Sequence, residues 1–522
     1  MPEHEQLGAG AEPDRGPGPQ VPAQGGPPGD RAAVTAPVHP GVAPAPAVGD
    51  PADAQDGGSE VDGAVAWPDR ILPLLRLPTA ARPLDDGVRE NHPKPEELAA
   101  AVSLALRVGE LMLACGESAE DVEAAVFAVT STYRAPFCDP QVTFTRVAIS
   151  YQPGPGEPPV TAERSVRRPT GDYARLAALF RLVTEITAGG LPAEAAHRRL
   201  TAVHREHHRY PCWLTVPSTG LLAGSATLLV SGRADARAWL VFVCAVVAAV
   251  AGDRLSTLVA RRALPEFYRI SAAAAPAAAV GILMSFNQLH LRGSVVIAGG
   301  LYAFMPGWPM VAAVQDGLTG FYLTAAARLL EALYLMAGVV VGVTTVLYVG
   351  VNNGADLMAQ GVPAPSNPAL QLTAAVLLTL FFAVLLNTEP AALPAVLVNS
   401  AAGWSTYGAL VQAGTEPIMA TGFAAMLVGL SGQLTARFGG SPALPFVTAA
   451  LGPLLPGSEL YFGLIAFVQG EPEAGLSGVG RATATAMALA IGVSLGHEVA
   501  RLFLPAPGVV LAGRRPGGRH RR

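Results

Sequence analysis

The chain has 522 residues, 51% of them hydrophobic and only 14% charged, with a formal net charge of -5. That composition excludes an ordinary soluble protein and offers no basic surface for nucleic acid, so the placement of Arg carries more information than the net charge. Lys94, the only lysine, sits in NHPKPEEL without a Gly-rich turn, which excludes ATP hydrolysis by a P-loop.

Residues 1–92 read as a disordered tail rich in Pro, Gly and Ala, with no apolar core of the kind a signal peptide needs. From 93 to 210 the pattern changes to that of a small α+β domain. PEELAAAVSLALRVGELMLACG has apolar residues at helical spacing and stops at Gly116; a second helix follows with Ser118 as its N-cap and acids in its first turn. QVTFTRVAISY alternates as one strand, with TAERSVRR as its hairpin partner across QPGPGEPP. Helices over 172–188 and 192–208 complete the domain. His204 and His208 have the spacing of a metal pair, but Arg205 stands where a zinc protease needs Glu, so the segment reads as a basic stretch beside anionic lipid. Cys115, Cys138, Cys212 and Cys244 lack CxxC spacing and read as small buried hydrophobes, with no metal site implied.

Beyond residue 212, apolar windows approach the roughly 20 residues that cross a ~30 Å hydrocarbon layer. The pattern predicts a polytopic α-helical membrane protein with ten spans: 213–231, 238–258, 268–287, 294–321, 328–350, 369–387, 391–412, 417–436, 442–469 and 479–502. These form a first membrane half (211–350), an external linker (351–368), a second half (369–504) and a basic tail (505–522). With both termini cytoplasmic, the inner segments hold Arg198, Arg199, Arg205, Arg209, Arg261, Arg262, Arg269, Arg328, Arg437 and the tail GRRPGGRHRR, whereas the external loops hold only Arg233, Arg237, Arg292 and Arg481 and the linker none.

Two interruptions stand out. GGLYAFMPGWPMV at 299–311 and AALGPLLPGSELY at 449–461 repeat Leu, Pro and Gly 150 residues apart, at Leu301 and Leu451, Pro306 and Pro456, Gly307 and Gly457. They fall in spans four and nine. Five spans per copy is an odd number, so the second copy enters the membrane the other way round, as a 5+5 inverted repeat. Proline removes a backbone donor and glycine releases helical geometry, and freed peptide groups survive in a membrane only where they are buried or line a watery cavity. Half-helices opening at Pro306, Gly307, Trp308 and at Pro456, Gly457, Ser458 would present N–H groups to a carboxylate, and the carbonyl ends near Met305 and Leu455 would suit an ammonium. Asp316 and Glu459, each an acid after a break and inside a span, read as cavity-facing proton-coupling groups. Arg328 with Glu331, the cluster of His497, Glu498 and Arg501, and Asp253 with Arg254 read as interfacial charges; Glu389 in the NTEP turn reads as solvent-facing, and Ser218, Thr219 and Asn399 as helix-to-helix contacts.

LRVGELMLACGESAEDVEAAV followed by VTFTRVAIS, LYAFMPGWPMVAAVQDGLTG with ARLLEAL, and ALPFVTAALGPLLPGSELYFGL resemble the threonine/serine exporter family in its fused form, from about residue 95 to 502. The resemblance implies a cytoplasmic amino-terminal domain, ten spans in the cell membrane, and export of threonine and serine driven by protons, with no cofactor and no catalytic residue. Export of another small carboxylate, such as a dicarboxylate, is the neighbouring alternative. A membrane-anchored enzyme or sensor acting through residues 93–210 is the alternative of a different class, and that segment lacks GxSxG, a paired Cys and His, and an acidic metal cluster. Oligomeric state is not legible.

Overall fold

The computed structural model describes residues 67–75, 94–135, 138–152, 157–166, 171–189, 191–205, 209–286, 293–304, 307–353 and 367–503. Its amino-terminal region packs helices α2 (Pro95–Ala114), α3 (Ala119–Thr132), α4 (Tyr173–Thr187) and α5 (Ala193–Arg205) around a three-stranded antiparallel sheet. Gly116, at φ 93°, closes α2, and the Ser118 hydroxyl caps α3 by accepting from the Asp121 N–H at 3.1 Å. The stretch expected to be one strand is two: β1 (Asp139–Thr143) and β2 (Arg146–Tyr151) pair with Thr143 opposite Arg146, and β2 pairs with β3 (Val160–Ser165). A tight turn at Phe144–Thr145 lacks the Gly or Asn that usually marks one, and so left the alternation unbroken in the sequence.

The segment read as a disordered tail contains a helix. In α1 (Trp67–Leu75), Trp67, Ile71, Leu72 and Leu75 lie on one face and join the core, with the Trp67 ring 5.2 Å from that of Phe180. Cys115 is buried in the same core, which pushes its thiol up to about 12, whereas Cys212 is exposed. His208 lies outside the described residues, and among those described no three His, Cys, Asp or Glu converge as a metal site.

Among its described residues the apolar part has α-helices and no strand: α6 (Cys212–Ser231), α7 (Ala236–Ala260), α8 (Glu266–Phe286), α9 (Gly293–Leu301), α10 (Gly307–Leu318), α11 (Tyr322–Asn352), α12 (Pro368–Leu385), α13 (Leu393–Gln412), α14 (Pro417–Gly439), α15 (Leu444–Thr448), α16 (Gly457–Val468) and α17 (Pro472–Phe503). Seven of these are long and apolar enough to cross a membrane, and the bent pair α9 and α10 makes an eighth. This is a multi-pass membrane protein. The remaining expected spans coincide with α13 and with α15 plus α16, which do not meet the same test of length and apolarity.

Helices approach closely where glycine leaves room. Gly342 on α11 and Gly492 on α17 stand 150 residues apart, and a Cβ on either would overlap a backbone carbonyl of its neighbour: that of Ser271 on α8 for Gly342, that of Gly422 on α14 for Gly492.

The amino-terminal region sits on the ends of the membrane helices at three separate turns. Phe321 between α10 and α11, Leu386 between α12 and α13, and Leu444 after α14 all pack against its core. The second turn is also hydrogen-bonded: the N–H groups of Tyr173 and Ala174 donate to the carbonyls of Leu386 and Asn387 at 3.0 Å, and the Asn387 amide donates to Asp172 at 2.7 Å. Glu389, expected to face solvent, pairs with Arg181 at 2.6 Å.

Candidate functional site

Both interruptions have the same build. In the first, α9 ends at Leu301, a 3-10 turn spans Tyr302–Phe304, and α10 opens at Gly307 with its axis turned by 53°. In the second, α15 ends at Thr448, a 3-10 turn spans Gly452–Leu454, and α16 opens at Gly457. Pro306 lies outside the described residues; Gly307 and Trp308 form the first turn of α10. Pro456 is buried, Ser458 is partly buried, and the Gly457 N–H donates to the Leu455 carbonyl at 2.8 Å. Gly307 and Gly457 thus sit where each second half-helix begins, with Pro456 just ahead of the second, as a lost donor and a free backbone dictate.

The two breaks touch. The Tyr302 hydroxyl donates to the carbonyl of Gly452, which is 150 residues away and so its counterpart in the repeat. Packing crosses over in the same sense: Tyr461 of α16 lies in a cluster with Ile297 and Leu301 of α9, and Val311 of α10 lies with Val447, Leu451 and Leu454 of the other break. Met310 and Leu460, again 150 apart, share a third cluster. Each half-helix after a break therefore packs on the segment before the other break. The two breaks are thus held against one another by these side chains.

The two acids lie apart. Asp316 is nine residues beyond Gly307, about 13 Å along the helix at 1.5 Å per residue. It is fully buried; one carboxylate oxygen pairs with Arg328 at 2.9 Å and the other accepts from the Ala119 N–H at 3.3 Å, at the amino terminus of α3. Arg328 in turn donates to the Glu117 carbonyl at 3.0 Å. Arg328 is thus engaged with Asp316 and the amino-terminal region. Glu459, two residues beyond Gly457, remains beside its break, accepts from the Thr485 hydroxyl at 3.2 Å and faces Arg481 at 3.7 Å.

Other polar positions are accounted for by the helices themselves. Asn399 donates to the carbonyls of Val428 and Phe446 and so ties α13 to α14 and α15, while the Ser218 and Thr219 hydroxyls bond carbonyls of their own helix. Arg501 pairs with Glu498 at 3.2 Å. Tyr302 escaped the sequence reading, although its place one residue beyond the repeated Leu301 was the available signal.

Residues 103–350 match a family model of threonine/serine exporters, and residues 371–499 match a second model described as Threonine/Serine exporter, ThrE. A "Probable threonine/serine exporter" of Mycobacterium tuberculosis is 33% identical over 79% of this chain and 78% of its own length. A "Threonine/serine exporter" of Corynebacterium glutamicum is 27% identical over 79% of this chain and 84% of its own length. No solved structure matches.

Proposed function

We propose, for a chain that belongs to the threonine/serine exporter family, that threonine and serine leave the cell through the meeting point of its two broken helices, driven by the proton gradient. The observation that carries this reading is the hydrogen bond from Tyr302 to Gly452, because it joins the breaks at corresponding residues. Export rather than catalysis is the activity, with no cofactor required.

In this account the protein crosses the membrane ten times as a 5+5 inverted repeat, with both termini and the 93–210 domain in the cytoplasm. Three observations support it: the cross-packed breaks, the matched close approaches at Gly342 and Gly492, and the three turns under the amino-terminal region. Ten crossings put all three turns on the side of the amino terminus. Pro306, Gly307, Trp308, Pro456, Gly457 and Ser458 line the substrate site, backbone N–H groups holding the carboxylate and carbonyls the ammonium. Glu459, beside its break, takes the proton. Protonation of Asp316 would release Arg328 and loosen the grip of α3 on α10, so that acid acts at a gate away from the substrate.

The test uses purified protein in proteoliposomes loaded with labelled threonine. A pH gradient across the vesicle should drive uphill movement of threonine and serine, and a protonophore should abolish it. Uphill movement that persists with the protonophore contradicts proton coupling; transport of succinate in place of threonine contradicts the substrate.

A further inference from the structure

A cavity lies between the α2–α3 connection on one side and the ends of α14 and α17 with the start of α15 on the other. Its volume is about 170 Å³, and Trp67, Glu117, Asp121, Arg437, His497 and Arg501 are among the residues that line it. At ~30 Å³ per water this is room for roughly six waters, or one molecule the size of a small amino acid. The walls differ in charge: the α2–α3 side brings the carboxylates of Glu120 and Asp121 beside the carboxyl of Glu117, and the opposite side brings Arg437, Arg501 and His497 with Glu498.

Two nitrogens of the lining lack partners among the described residues, one on each side. Trp67 is 1% exposed, yet its indole Nε1–H, which can only donate, has no acceptor; His497 Nε2 is buried and likewise unpaired. Buried polar atoms are nearly always satisfied, so an unpaired donor beside a cavity with charged walls points to an acceptor that arrives from outside. Glu117 is also buried, which pushes its carboxyl up to about 8, and its own backbone carbonyl is the acceptor for Arg328.

We propose that this cavity binds a small zwitterionic amino acid, its carboxylate on the Trp67 N–H and the arginine wall and its ammonium on the Glu120 and Asp121 wall. The ligand bridges the amino-terminal region and the ends of α14 and α17, and it sits against the same α2–α3 connection whose Glu117 and Ala119 hold Arg328 and Asp316. Occupancy therefore reports to α10, the half-helix that follows the first break, and ties export to the internal amino-acid concentration. The choice of an amino acid rests on the export reading; the cavity and its unpaired donors do not.

The test is equilibrium binding of labelled L-threonine to the full chain in lipid nanodiscs, with Trp67→Phe removing the N–H while keeping the ring. The parent should bind two equivalents. Trp67→Phe should bind one, the other being weakened roughly tenfold or more, as expected when a hydrogen bond to a charged group is lost. Ser494→Phe, which fills the cavity from α17, should also bind one and serves if Trp67→Phe folds poorly. Gly457→Leu should remove the equivalent at the breaks and leave the one that Trp67 controls. Loss of the Trp67-dependent equivalent alone, with Gly457→Leu removing nothing, upholds the cavity and contradicts the break site. Full stoichiometry and affinity in Trp67→Phe or Ser494→Phe overturns the cavity site, and succinate displacing threonine from it overturns the zwitterion.

Discussion

The two broken segments share a backbone and differ in what holds them. Both run as helix, 3-10 turn, helix, and both reopen at glycine, but the acid in the first is locked and the acid in the second is not. The side chains of Asp316 and Arg328 are 0% and 9% exposed, and α3 caps them; those of Glu459 and Arg481 are 29% and 62% exposed at the longer separation of 3.7 Å. Charges taken out of water are costly unless paired, whereas open pairs contribute little, so the same sequence signal, an acid after a break, marks a buried tie in one half and an open pair in the other. The amino-terminal region makes the difference, since it reaches α10 and α11 at that ion pair.

Neutralising the locked acid should break this contrast most severely. Asp316→Asn leaves Arg328 buried without its partner and should cost about 3–5 kcal/mol, seen as loss of folded protein in thermal unfolding. Glu459→Gln should change stability by less than about 1 kcal/mol while abolishing proton-driven transport. Combining Asp316→Asn with Arg328→Met should recover much of the loss. Equal destabilisation by the Asp316 and Glu459 variants would erase the distinction.

Replacing the matched glycines probes what the two halves have in common. Gly342→Leu and Gly492→Leu each force a side chain into a neighbouring carbonyl and should destabilise by similar amounts, at least about 1–3 kcal/mol, in the same unfolding measurement. A large effect at one and none at the other would argue against equivalent packing. Tyr302→Phe, which removes the bond between the breaks, should cost about 1 kcal/mol in stability, because the Gly452 carbonyl keeps the Leu455 N–H, and should lower transport by more than that loss explains.

A pH dependence at the tie itself probes the contrast from another side. Burial, reinforced by Asp121, raises the Glu117 carboxyl from 4.5 to about 8. Across that window the folded protein holds a proton that the unfolded chain has released, so stability falls as pH rises and levels off above about 8. Glu117→Gln should flatten this part of the profile and raise the melting temperature at pH 8 relative to the parent. An unchanged slope would show that Glu117 ionises as in the unfolded chain.

Much of this was legible in the sequence because hydropathy and Pro-Gly pairs are local signals. Helical segments overlap each expected span, seven of them and the bent pair α9 and α10 being long and apolar enough to cross a membrane, and α10 and α16 reopen at the repeated glycines. What was hidden depends on contacts between distant residues. Nothing in ARLLEAL tells Arg328 to pair with Asp316 rather than Glu331, since both acids are within reach of a flexible side chain and only the docking of α3 favours one. The hairpin in QVTFTRVAISY lacked a turn residue, and α1 was masked by a Pro-rich surrounding composition although its apolar spacing is helical. Glu389 looked solvent-facing because its partner, Arg181, is 208 residues away.

The claim that the two breaks form one translocation site is tested most directly by the initial rate of threonine efflux per mole of folded protein in proteoliposomes. Gly457→Leu, which fills the start of α16, should lower that rate roughly tenfold or more, as loss of about 1.4 kcal/mol or more of binding or barrier stabilisation would. Pro276→Ala, at a proline inside α8 without the glycine, should stay within about twofold of the parent by the same conversion. If Gly457→Leu carries threonine at the parent rate, the breaks are ordinary kinks and the substrate passes elsewhere.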